Sequence, residues 1–274
     1  MPITSITSFL EQLKEIKKSK THEYFFRGHD DLNYSLAPSI YRRKYIQNED
    51  NIFKEIILRA PNDFNSDKTA IEKLVKMQHY GLPTRLLDIT SNPLVALYFA
   101  CATKPKATGE ILIFKVPKTE IKYYDSDTVT ILANIAKRPI NFKIDELHSE
   151  DSIQFNEKEA ILKLLHEIRD DKPQFLPIID KNDIRRVIAV KTKHSNSRII
   201  KQSGAFFLFG IDNTKSVPAS VSNEWILKNF KTNNAIISGL KKAILDELDA
   251  LGINEATLFP ELENQSKYLR ALYK

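Results

Sequence analysis

Apolar side chains recur at Ile6, Phe9, Leu10, Leu13 and Ile16, steps of three or four that predict an amphipathic helix over 5–18. The period then shortens. Residues 23–28, EYFFRG, read as a short aromatic strand ending at Gly28, and 29–39 as an extended or looping segment. Helical spacing returns at Ile52, Phe53, Ile56 and Ile57, giving a helix over 49–60 that Pro61 closes. Beyond residue 105, EILIFKV at 110–116 is apolar on both faces, the mark of a buried strand. Helices are predicted over 127–136 and 157–170, with an irregular polar stretch at 137–156 between them. Strands follow at 186–192, 205–210 and 223–230, the last with Trp225 and Leu227 on one face. A helix over 235–250, ended by Gly252, and another over 261–272 complete the chain.

The stretch around which these elements group is 71–102. Ile71, Leu74 and Val75 lie on helical spacing, the chain breaks at Gly81-Leu82-Pro83, and a second helix carries Leu94, Val95, Leu97, Tyr98 and Phe99. Between them Thr84, Arg85, Asp88, Thr90, Ser91 and Asn92 crowd into nine residues, predicting a polar connector held between two apolar segments. Rigid flanks around accessible polar groups are where sites are commonly built. With no repeat, low-complexity tract or linker, the economical fold is one α+β domain, helices weighted to its first half and strands later.

Composition narrows the function classes. At 274 residues and 42% hydrophobic the chain can bury a substantial core, which excludes global disorder. No apolar run reaches the roughly 18–20 residues of a membrane span, and no cationic segment followed by an apolar one opens the chain. The expectation is a cytoplasmic protein with no membrane partner. The single cysteine, Cys101, sits among alanines in an apolar helix and is expected to be a buried thiol; without a Cys or His cluster no metal site is expected. A formal charge of +6 admits an anionic ligand but is well short of a strongly basic nucleic-acid binder.

Among the polar residues, Arg27 stands out, a guanidinium after three aromatics and before a glycine. It is either the partner of a buried carboxylate such as Asp88 or a bidentate grip on a phosphate or carboxylate. His79, at a helix end, is either a general base or ligand anchor or a partner of the helix dipole. Arg85 and Asp88, three apart, suggest an internal ion pair; Gln202 precedes a glycine that permits close backbone approach by a ligand. The aromatic runs 24–26 and 206–209 and Trp225 read as core, and His22, His148, His166 and His194 as surface residues.

Phe26-Arg27-Gly28 with Leu36-Ala37-Pro38-Ser39, the block Gln78–Asp88, Asn92–Ala100, Arg198–Phe206 and the ending 248–262 together resemble the FRG domain family. The resemblance covers about residues 20–265, implying that 1–274 is a single FRG domain of a bacterial or phage protein. More distantly, the aromatic-Arg-Gly strand and the Thr90-Ser91 step before Val95-Ala96-Leu97-Tyr98-Phe99-Ala100 are similar to mono-ADP-ribosyltransferases of the Arg–Ser–Glu type. That likeness implies a split sheet with a mixed or antiparallel core, and NAD as cofactor. Arg27 with Gly28 would hold its anionic part, Thr90 and Ser91 would orient the ribose, and Arg85 would lie in the same site. The family's Glu position carries Gln202 here, leaving Asp88 or Glu224 to offset a cationic ribose.

Three functions follow as expectations. The first is NAD or nucleotide binding with nicotinamide cleavage or ADP-ribose transfer to a protein or nucleic-acid acceptor, in a toxin or phage-defence setting. The second is a non-catalytic module recognising a nucleotide or nucleic-acid end. The third is a nuclease or other hydrolase using His79 and Asp88.

Overall fold

A computed structural model describes residues 2–144, 152–193, 196–227, 235–262, 264, 265 and 270. Seven strands form one mixed sheet in the order β4-β5-β6-β2-β1-β3-β7. They are β1 (His22–His29), β2 (Leu86–Thr90), β3 (Gly109–Pro117), β4 (Ile121–Tyr123), β5 (Val187–Lys191), β6 (Gly204–Phe209) and β7 (Ala235–Ile236). Every neighbouring pair is antiparallel except β4 with β5. The helices run α1 (Ile6–Leu13), α2 (Glu49–Arg59), α3 (Pro61–Phe64), α4 (Ala70–His79), α5 (Pro93–Cys101) and α6 (Asp127–Asn134). There follow α7 (Ser152–Glu157), α8 (Glu159–Asp171), α9 (Lys181–Ile184), α10 (Ser197–Lys201), α11 (Lys241–Ala250) and α12 (Glu255–Leu258).

Alternation along the strands divides the interior into three parts. Phe25, Leu87, Ile89, Phe114, Ala189, Phe207 and Phe209 point to one face, covered by Ala219, Val221 and Trp225 of the chain after β6. On the other face lie two separate helical layers. Leu86, Ile188, Val190, Phe206 and Leu208 pack against α4, α6 and α8, while Phe26, Ile111 and Ile113 pack against α1, α5 and α11. The boundary between the two layers falls over the junction of β2 with β1.

That junction is narrow. β1 is paired with β3 along its whole length and β2 with β6 along its own, but β1 and β2 share a single residue pair, Phe26↔Thr90. Past it the sheet opens. α5 is apolar all round because both its sides are buried, and it lies hard against β1 at Gly28. A Cβ there would overlap the Ala96 carbonyl oxygen and come within 2.5 Å of the Ala100 nitrogen. A capping box of Thr69 and Glu72 starts α4, Asp171 accepts from the Ala70 N–H at 2.8 Å, and Gly81 at φ 79° carries the chain out of the helix.

Several expectations are corrected. The polar connector after Gly81 is a strand from Leu86, one of the inner strands of the sheet. Leu87 and Ile89 serve one face and Leu86, Asp88 and Thr90 the other, a period of two that the density of polar residues masked. Four strands lie in the first half of the chain, so the segregation of helices from strands does not hold. The helix over 235–250 begins at Lys241, because Ala235-Ile236 pairs with Gly109-Glu110 as β7. The first helix stops at Leu13. Residues 223–227 form a turn with one bridge, Phe114↔Ile226, and Trp225 and Leu227 pack on opposite faces of the sheet. The remainder of that stretch, most of 261–272, the middle of 137–156, His148 and His194 lie outside the described residues. Cys101 is buried, and its surroundings push the thiol up to about 12 through burial. Among the described residues no helix is long and apolar enough to cross a membrane.

Candidate functional site

Where β1 leaves β2, a cavity of about 260 Å³ opens between the two helical layers. Its walls come from β1, β2, β6, α4, α5 and α10, with Tyr34 and Arg42 from the chain after β1. Phe26, Val75, Val95, Ala96, Phe99 and Phe206 give it an apolar lining. Three guanidinium groups (Arg27, Arg42, Arg198) and two carboxylates (Asp30, Asp88) also line it, so its charge balance is positive. Pockets of mixed apolar walls and a few convergent polar groups are the usual form of a ligand site, at roughly 300–1,000 Å³ for drug-sized ligands.

Arg27 occupies the gap in the sheet. Its Nη1 donates to the Asp88 carbonyl oxygen at 2.6 Å, an acceptor that an uninterrupted β1–β2 ladder would have used. Its Nε donates to His29 Nε2 at 3.0 Å. Nη2 has no partner among the described residues and remains as a charged donor edge. Burial lowers the guanidinium to about 10, Asp88 and Asp30 working against that and Arg42 with it, so the group stays cationic at neutral pH. Of the two readings of Arg27, the pairing with the Asp88 carboxylate is corrected: the guanidinium bonds the Asp88 backbone carbonyl instead.

Asp88 is exposed in the cavity wall, with Oδ2 accepting from Gln78 Nε2 at 2.8 Å. The Gln78 side-chain Oε1 accepts in turn from the Thr84 hydroxyl, so one amide ties α4 to β2 and to the residue leading into it. Thr90 is buried. Its hydroxyl donates to the Gln202 carbonyl oxygen at 2.7 Å and accepts from the Asn92 N–H at 3.0 Å. One lone pair remains for accepting from a ligand hydroxyl. The Gln202 side chain lines the cavity while donating to the Leu258 carbonyl oxygen at 3.1 Å.

His79, the last residue of α4, also lines the cavity. Burial lowers its pKa; Glu261 opposes the shift and Arg198 adds to it, so the ring is neutral at pH 7. Its Nε2 lies 3.5 Å from Glu261 Oε1, and its buried Nδ1 has no partner among the described residues. The Arg198 guanidinium sits over the Phe259 ring at 4.6 Å and donates to the His79 carbonyl at 3.4 Å. Residues 258–261 are therefore strapped to the cavity wall at three points.

Six of the eight sequence-predicted residues share this cavity: Arg27, Gly28, His79, Asp88, Thr90 and Gln202. Two do not line it. Ser91 is exposed and its hydroxyl donates to the Ser203 carbonyl at 3.4 Å. Arg85 is fully buried and holds Glu49 through Nε at 2.9 Å and Nη2 at 2.5 Å, with Nη1 on the Phe209 carbonyl. The expected Arg85–Asp88 ion pair is therefore absent, because a carboxylate from α2 takes the guanidinium instead. Glu224 is exposed after β6, away from the cavity.

Sequence reasoning missed His29, Asp30, Tyr34, Arg42, Arg198 and Glu261. His29 and Asp30 directly follow the Phe-Arg-Gly step, and the period of two that places Arg27 also carries His29; that signal was present. Arg198 opens the Arg198–Phe206 block that resembles the family, but only Gln202 of that block was singled out; Arg42 gave no signal, coming from a polar segment away from the strands. Among the described residues no group of three or more His, Cys, Asp and Glu is arranged to hold a metal ion.

The FRG domain family model matches residues 22–109, from the first residue of β1 to the first of β3. The matched span contains Arg27, Gly28, Asp88 and Thr90. Neither the curated proteins nor the solved structures contain a match to the chain.

Proposed function

We propose that this cleft binds NAD or a related nucleotide, with Arg27 on an anionic group, and that the chain is an ADP-ribosyltransferase-like protein. The observation that carries the reading is the state of Arg27. It is a cation half-buried in the opening of the sheet, fixed at Nε and Nη1, with Nη2 left unengaged. A guanidinium so held makes charge-assisted bonds to phosphate without first having to be ordered. The neighbouring acceptors suit a ribose: the remaining lone pair of Thr90 and the carboxylate of Asp88 can each take a hydroxyl proton. The opening between β1 and β2 is consistent with a split sheet, and 1–274 is read as a single domain of this kind.

Loss of nicotinamide from NAD leaves positive charge on the ribose, and a nearby carboxylate lowers that barrier. In this cavity Asp88 is the exposed carboxylate and Gln202 is neutral, so Asp88 takes that role. Arg27 and Arg42 hold the ligand's negative charge, Thr90 orients the sugar, and His79, neutral at pH 7, is available to take a proton from an attacking water or acceptor. Purified protein incubated with NAD is expected to release nicotinamide, and Arg27→Ala to abolish both release and binding by calorimetry. Neither release nor binding by the intact protein would overturn the reading.

A second reading has one observation of its own. Gln202, tied by its amide to Leu258, stands where a charged catalyst would serve, which favours recognition without turnover. Binding that survives Asp88→Asn with no nicotinamide released by the parent protein marks this outcome. For the hydrolase reading, His79 and Asp88 share the cavity, but the carboxylate beside His79 is Glu261.

A further inference from the structure

We propose that His29, backed by Glu110, is a positioning residue that sets the plane of the Arg27 guanidinium. The inference rests on the reading of Arg27 as the ligand's anchor, and it deepens that reading by naming what holds the anchor. His29 is the third residue of β1's alternation after Phe25 and Arg27, and its side chain is almost wholly buried. Its Nε2 faces Arg27 Nε at 3.0 Å and its Nδ1 faces Glu110 Oε1 at 3.0 Å. Glu110 is its register partner on β3, and Tyr34 closes the other side with an edge-on ring at 6.0 Å.

The protons in this chain are dictated by valence. A guanidinium Nε–H can only donate, so His29 Nε2 accepts and carries no proton. The imidazole is then neutral with its hydrogen on Nδ1, and that hydrogen is donated to the Glu110 carboxylate. A carboxylate behind an imidazole fixes the ring and its tautomer, as in the outer contacts of metal-bound histidines. With Nη1 alone bonded, the guanidinium could pivot about the Asp88 carbonyl. The second bond at Nε stops the rotation and leaves Nη2 facing outward. Gly28 between the two residues allows β1 to lie on α5, so both side chains are held by one rigid strand.

Three substitutions separate positioning from mere filling of space. Glutamine sets its amide oxygen near the place of Nε2, so His29→Gln keeps an acceptor for Arg27. His29→Asn keeps a donor toward Glu110 but no acceptor at the far end, and His29→Phe keeps the volume alone. Binding of ADP-ribose by calorimetry is expected to weaken about tenfold or more in His29→Phe and His29→Asn, and to stay within about threefold in His29→Gln. Nitrogen NMR of the unmodified, ligand-free protein gives a readout independent of any ligand and of any variant's folding. It is expected to find His29 protonated at Nδ1 and bare at Nε2, with a slowly exchanging Arg27 Nε–H. A proton on Nε2, or phenylalanine serving as well as glutamine, would overturn the proposal. If the parent protein binds no ADP-ribose while the NMR pattern holds, the nucleotide reading fails and the positioning of Arg27 stands.

Discussion

Two arginines of similar promise in the sequence have opposite environments. Arg85 gives all its bonding edges to the protein, to Glu49 and the Phe209 carbonyl, whereas Arg27 keeps one edge for the cavity. Nothing local separates them, because the group that claims Arg85 lies 36 residues upstream on α2. His79 carries the pH prediction at this scale. Its folded pKa is lowered, chiefly by burial, so between that value and about 6.5 the unfolded chain binds a proton that the folded chain does not. Stability from this group is complete above pH 6.5 and falls as the pH drops below it. Melting temperature followed from pH 8 to pH 5 should decline less steeply in His79→Gln than in the parent protein.

At the scale of elements, the apolar and amphipathic segments were legible and the short polar ones were not. α2, α4 and α8 follow from helical periodicity, and β1, α5, β3, β5 and β6 from short apolar or aromatic runs bounded by breaks. β2 was hidden by Asp88 and Thr90, which are polar because their face of the strand meets the cavity and not a helix. β7 was hidden by its length, two residues being too few to display a period. Gly28 is where an element-scale prediction bears hardest. Since a Cβ would run into the backbone of α5, Gly28→Ala should force β1 and α5 apart and cost about 1–3 kcal/mol, measured by denaturant unfolding. The same displacement moves Arg27, so nucleotide affinity should fall in parallel.

Across the whole molecule, distant parts of the chain are locked by a buried ionic triad. Glu49 of α2 receives Arg85, which precedes β2, and Lys215 at 3.0 Å from the chain after β6, and all three are nearly inaccessible. Burial alone would raise the Glu49 carboxyl; the two cations outweigh it and hold the group below its usual range. Lys215 also donates to the Ala136 carbonyl at 3.2 Å, adding the end of the α6 segment to the lock. Removing the anion leaves two cations unpaired in the interior, so Glu49→Gln should destabilise the fold by about 3–5 kcal/mol in denaturant titration. Replacing all three with apolar residues of similar volume should cost far less. The sequence marks Arg85 but gives it the wrong partner, and Glu49 and Lys215 look like ordinary surface positions until the topology gathers the three.

The single rung between Phe26 and Thr90 has a mechanical corollary. Two well-laddered half-sheets fastened by one backbone stitch, with the Arg27–Asp88 bond beside it, have fewer ties along that seam than within either half. A nucleotide gripping Arg27 on one bank and Thr90 on the other would act as a second stitch. Ligand binding would then stiffen the protein across its middle, coupling affinity to the order of both halves at once.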